Sequence, residues 1–138
     1  QMIIQNGKMD IEVNSPDVKA LRSDSLMTIN GGTIKLEVTG DGSKGMTTDT
    51  DIYVDETVAP VNVNIHCTGG EYTDPADPTD TKKCHGINVK GNLTIMGGTF
   101  DISSTGKKGK SIKVDGISKK AEGANVTTNP SYYFDFII

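Results

Sequence analysis

Apolar and polar residues alternate in short bursts along this chain. Met9, Ile11 and Val13 enclose Asp10 and Glu12; Ile34, Leu36 and Val38 enclose Lys35 and Glu37; Phe100 and Ile102 flank Asp101. Alternation with period two is the pattern of a strand that covers one face and wets the other. Shorter pairs, Met27/Ile29 and Leu93/Ile95, precede two of these bursts, and Met46 and Ile112 follow them. Asn30-Gly31-Gly32, Gly40-Asp41-Gly42 and Gly97-Gly98 punctuate the strands, where the backbone must turn or another must approach closely. Three short strands separated by bends, repeated, predict a parallel β-helix.

The repetition is internal. A displacement of 66 residues lays Gly98 on Gly32, Phe100 on Ile34, Ile102 on Leu36, Lys110 on Lys44 and Asp115 on Asp49. One of 25 residues lays Gly32 on Gly7, Ile34 on Met9, Lys44 on Lys19 and Asp49 on Asp24. A third unit is less regular: Val61, Val63 and Ile65 repeat Ile34, Leu36 and Val38, and His85-Gly86-Ile87 repeats Lys44-Gly45-Met46 after an insertion. The sequence therefore predicts a single all-β domain of four to five coils, each of about 25 residues, as in other stacked repeats. Their approximate bounds are 2–25, 26–51, 52–91 with an inserted loop 66–83, and 92–116, followed by a C-terminal cap 117–138. Equivalent inward residues should stack in rows: Met9/Ile34/Val61/Phe100, then Ile11/Leu36/Val63/Ile102, then Val13/Val38/Ile65/Ser104.

Charge narrows the partners. A net charge of -4 argues against nucleic acid, whose phosphates demand a basic face. No apolar run approaches the roughly 20 residues of a membrane span. The chain opens inside the strand-like Met2-Ile3-Ile4 with no signal-peptide pattern. Cys67 and Cys84 flank the insertion, where a disulfide would staple its base; two reduced, buried thiols are the alternative. A disulfide would imply an oxidising compartment.

The repeat also aligns side chains with chemistry. Lys19, Lys44, His85 and Lys110 fall in one column, expected to face outward as a basic ladder able to pair with successive carboxylates of a polyuronate. The other reading is a solvated face that relieves neighbouring carboxylates. Asp24, Asp49 and Asp115 form a second column, interrupted by Lys90. Stacked carboxylates invite Ca²⁺ or a neutralising lysine. Glu71, Asp74, Asp77 and Asp80 in the insertion are an alternative metal set, though without EF-hand spacing. Catalysis has no motif: Gly-x-Ser-x-Gly, His-Glu-x-x-His and P-loop patterns are missing. Tryptophan is absent, and four of the seven aromatic residues lie in Tyr132-Tyr133-Phe134-Asp135-Phe136, read as an apolar cap over the end of the stack.

The phrase Leu93-Thr94-Ile95-Met96-Gly97-Gly98-Thr99, followed by Lys110-Ser111-Ile112-Lys113-Val114-Asp115 and mirrored at Lys44 to Asp49, resembles a bacterial family of carbohydrate-binding β-helix proteins related in shape to pectate lyases. The resemblance covers about residues 26 to 116. It implies a right-handed, secreted or surface-attached β-helix that binds plant cell-wall polysaccharide, with calcium. This chain has fewer coils than the larger members. The reading is therefore a non-catalytic binder of acidic polysaccharide, with a polysaccharide lyase and a protein-binding surface adhesin as the alternatives.

Overall fold

In the computed structural model, which describes residues 1–138, the chain visits three walls in the same order again and again. The first coil supplies β1 (Met2–Ile4), β2 (Lys8–Val13) and β3 (Lys19–Ser23). The second supplies β4 (Met27–Ile29), β5 (Gly32–Val38) and β6 (Lys44–Thr48). The third supplies β7 (Ile52–Val54) and β8 (Val61–Cys67), detours through an antiparallel pair, β9 (Tyr72–Thr73) and β10 (Thr81–Lys82), and resumes with β11 (His85–Val89). The fourth supplies β12 (Leu93–Ile95), β13 (Thr99–Ser104) and β14 (Ile112–Val114). Then come β15 (Ser118–Lys120), β16 (Asn125–Asn129) and β17 (Phe136–Ile137).

Like strands pair side by side. The first wall runs β1-β4-β7-β12-β15-β17, the second β2-β5-β8-β13-β16, and the third β3-β6-β11-β14. Every pairing within these walls is parallel. The protein is thus all-β with several parallel sheets, and it has no helix long and apolar enough to cross a membrane. The three walls enclose one core of 23 buried residues.

One predicted register is corrected. Ile34 stacks on Val63, which stacks on Phe100; Leu36, Ile65 and Ile102 form the next row; Val38, Cys67 and Ser104 the third. The third coil is shifted by two residues from the expected rows, and Val61 pairs with Gly32 instead of Ile34. The cause is the corner between the first two walls. Coils one, two and four take it at Gly7, Gly32 and Gly98, all with positive φ (94°, 112° and 106°), a backbone state that costs an L side chain strain. Val61 stands at that level in the third coil. There the chain rounds the corner with a longer segment, Asp55 to Pro60, and the Glu56 carboxylate accepts the Val61 N–H at 2.9 Å. A slip of two keeps every side chain on its own face, so the core stays apolar.

Two boundaries also move. His66 belongs to β8, level with Glu37 and Ser103, so the insertion starts after Cys67. The expected cap continues the stack: β15 and β16 extend the first and second walls, and β17 adds a last strand to the first. Only beyond Asn129 does the tail fold as a cap, with the Tyr132 and Phe134 rings packed edge to face, centroids 5.2 Å apart.

Candidate functional site

The basic column forms in the register expected. Lys19 pairs with Lys44 and Lys44 with His85, and the Lys110 N–H donates to His85 Nδ1 at 3.0 Å. It is not an outward ladder. Lys19 and Lys110 are exposed, whereas Lys44 and His85 are 8% and 6% exposed. The β9–β10 excursion folds back and covers the two middle rungs. Gly42 makes room for it, since a Cβ there would lie 2.7 Å from the Cβ of Tyr72. Lys82 fastens it to the first coil through Asp17 at 2.8 Å, and Glu71 reaches Lys107 beyond β13 at 3.7 Å.

Beneath the excursion lies a cleft of about 260 Å³, lined by Lys44, Thr81, Lys82, Lys83, His85, Asn88 and Lys113. Its lining contains no apolar residue and no carboxylate. The ammonium groups are not equally free. Lys44 Nζ donates to the carbonyls of Gly42 and Lys83 at 3.0 and 2.7 Å. Lys82 is held by Asp17 and Asp80, and Lys113 by Asp115. Lys83, and Lys110 beside the cleft, pair with no carboxylate.

Burial is the main reason that the Lys44 pKa lies below the usual lysine value, with Lys19 adding to it. Burial, then Lys44, Lys113, Lys110 and Lys83, push His85 down to about 4. With Nδ1 accepting, the single ring proton of neutral His85 sits on Nε2. An unfolded histidine titrates near ~6.5. Between those two values the unfolded chain takes up a proton that the folded chain refuses, so stability is full above the higher value and falls as pH drops through the window. The unfolding free energy from urea denaturation is expected to decline between about pH 6.5 and pH 4, by up to about 3 kcal/mol for this group. His85→Gln should flatten part of that decline; an unchanged slope would refute the assignment.

The second column also forms. The Asp49 N–H donates to the Ser23 carbonyl, Lys90 to Thr48 and Asp115 to Val89, which aligns Asp24, Asp49, Lys90 and Asp115. Arg22, which has no evident partner in the sequence, bridges Asp24 and Asp49 at 2.9 and 3.0 Å. Lys90 reaches Asp49 at 3.2 Å, and Lys113 reaches Asp115 at 2.9 Å. The hydrogen bond from Lys90 is the main reason that the Asp49 carboxyl lies below the usual range. In the excursion, Asp74 accepts the Ala76 N–H, Asp77 accepts from Thr79, Asp80 faces Lys82 and Glu71 faces Lys107. No three His, Cys, Asp or Glu side chains converge. Each of these carboxylates lies against a hydrogen-bond or ion-pair partner, though the buried Glu71 Oε1 accepts no hydrogen bond.

Cys67 and Cys84 meet in the core as free, fully buried thiols. The hydrogen bond to Cys84, reinforced by burial, pushes the Cys67 thiol up. The Ser104 hydroxyl donates to the Cys84 carbonyl, closing the base of the excursion.

The three-walled stack thus carries a polar, lysine-lined cleft on one side. The model of a family described as carbohydrate-binding domain-containing protein matches residues 1–124. The chain belongs to that family. No curated protein and no solved structure matches it. The cleft lies wholly within the matched residues of this carbohydrate-binding domain, and the tail from Asn125 onward lies outside them. Sequence reasoning missed Lys83, Asn88 and Lys113 as cleft residues. The one available signal was the cluster Lys82-Lys83 beside Cys84-His85.

Proposed function

We propose that this carbohydrate-binding domain holds an acidic polysaccharide, of the polyuronate kind found in plant cell walls, along the lysine-lined side of its third wall. The observation that carries the reading is the pair of uncommitted ammonium groups, Lys83 and Lys110, beside a cleft without a carboxylate on a protein of net charge -4. A cationic strip on an acidic molecule selects anionic polymers by charge and orients them by its polar neighbours, here Asn88, Thr81 and the His85 Nε2–H. The winding that supports this strip is inferred to be a right-handed parallel β-helix, the hand that parallel crossovers almost always adopt. Such polymers lie outside cells, so the domain is proposed to act secreted or displayed at a surface.

Calorimetric titration with oligogalacturonate and with a neutral cello-oligosaccharide of equal length tests the reading. The acidic ligand should bind at least about tenfold more tightly, and Lys83→Ala should cost about tenfold, the worth of one charge-assisted hydrogen bond. Raising the salt should weaken the acidic ligand alone. Equal binding of both oligomers, or no effect of Lys83→Ala, would sink the proposal.

A further inference from the structure

Beside the cationic cleft lies a second groove, of about 470 Å³, between β14 and the tail. Lys110, Ser111 and Lys113 form one bank, and Pro130, Tyr132 and Tyr133 the other. Lys113 lines both grooves. Resting on the function proposed above, we infer that this groove is a second saccharide subsite, in which Tyr133 is the platform for a sugar ring and Lys110 meets a carboxylate of the same chain.

Three observations carry the inference. The first is the exposure of the ring. The tail alternates, with Tyr132 and Phe134 packed against the core and Tyr133 84% exposed between them. Capping accounts for the inner pair and leaves the outer ring without a structural task. The second is the anchoring of its backbone. Ser111 donates to the Pro130 carbonyl at 2.6 Å, the Tyr132 N–H donates to Thr128 Oγ1 at 2.9 Å, and the Asp135 N–H donates to the Ser118 carbonyl at 3.0 Å. A ring on a tethered backbone loses little freedom when a ligand settles on it. Third is continuity. Strands β6, β11 and β14 lie side by side in the third wall at about 4.8 Å per step. Lys44 and His85 stand level on adjacent strands, and the Lys110 N–H bonded to His85 Nδ1 carries the row one step further to the groove, a track of about 10 Å in all, too long for one sugar unit and suited to an oligosaccharide.

The chemistry is complementary at both ends. Cations select the carboxylates of a uronate, and a sugar face with its axial hydrogens packs on an aromatic ring as other apolar faces do. The lysine bank of this groove lies within the residues the family model matches, and the tail bank lies outside them.

The test uses a trimer and a hexamer of galacturonate on the full chain. Tyr133→Ala should weaken the hexamer about fivefold, leave the trimer within about twofold and leave Tm unchanged, since the ring buries little. Tyr133→Phe keeps the platform and should bind like the parent. If Tyr133→Ala binds the hexamer normally while Lys83→Ala still weakens both oligomers, the second subsite is overturned and the first reading stands. If the ring's removal lowers Tm along with affinity, the tyrosine is part of the cap and the subsite is likewise overturned. If the parent protein binds neither oligomer, both readings fall.

Discussion

Phe100→Ala is expected to destabilise the protein by about 3 to 5 kcal/mol, the range for removing a buried aromatic ring. Phe100 is 1% exposed and is the largest of the fully buried side chains. It stacks between Val63 on one side and Val126 on the other, both too small to fill the space it would leave. Parallel pairing fixes the backbones at the spacing of the ladder, so the neighbours cannot close the gap without breaking strand hydrogen bonds. Urea denaturation of the variant checks this, with Phe100→Leu as the milder partner. A loss below about 1 kcal/mol would mean that the row is looser than the register implies.

The second large effect is expected at a corner. Gly40, Gly69 and Gly106 stand one above another where the second wall turns toward the third. A Cβ on Gly69 would run into the carbonyl of Gly40, and one on Gly106 into the carbonyl of Gly69. The obstacle is backbone in both cases and cannot swing away as a side-chain tip would. Gly69→Ala should cost about 3 kcal/mol, at the upper end of overpacking, and should loosen the start of the excursion that covers Lys44. Gly123→Ala is the control, since nothing lies within 4 Å of its added Cβ. Thermal melts of the two variants decide the matter: equal midpoints would remove the close approach from the account.

The two corners of each coil explain what could be read in the sequence. Coils one, two and four were legible because Gly7, Gly32 and Gly98 recur ahead of alternating strands. The third coil lacks that glycine, and aligning its strand by apolar alternation alone cannot distinguish a register from one two residues away, because both put apolar residues inward. The triplet Cys67-Thr68-Gly69 matches Val38-Thr39-Gly40 and Ser104-Thr105-Gly106, and it carried the right register in plain sight. The last coil was harder. Ser118, Lys120, Asn125 and Thr127 are poor in apolar character, yet they pair because the ladder before them offers its edge.

The candidate site was legible in its alignment and illegible in its exposure. Spacing alone puts Lys44 level with Lys19 and His85. That Lys44 and His85 lie under a hairpin depends on Lys82 reaching Asp17, 65 residues earlier in the chain, and no local pattern announces a contact of that range. The cleft, with Lys83 and Lys113 on its walls, exists only once the hairpin has closed.

The hairpin has a consequence for how the molecule comes apart. Where repeats touch only their neighbours, a terminal winding can peel away while the rest stays intact. Here the Asp17–Lys82 and Glu71–Lys107 ion pairs clasp the first winding and the loop after β13 to a single strap rooted in the third. Fraying at the amino-terminal end must therefore release the strap, and with it the cover over Lys44 and His85. The proposed saccharide site and the end of the stack open together, so a ligand lying in the cleft would also act as a latch against unzipping.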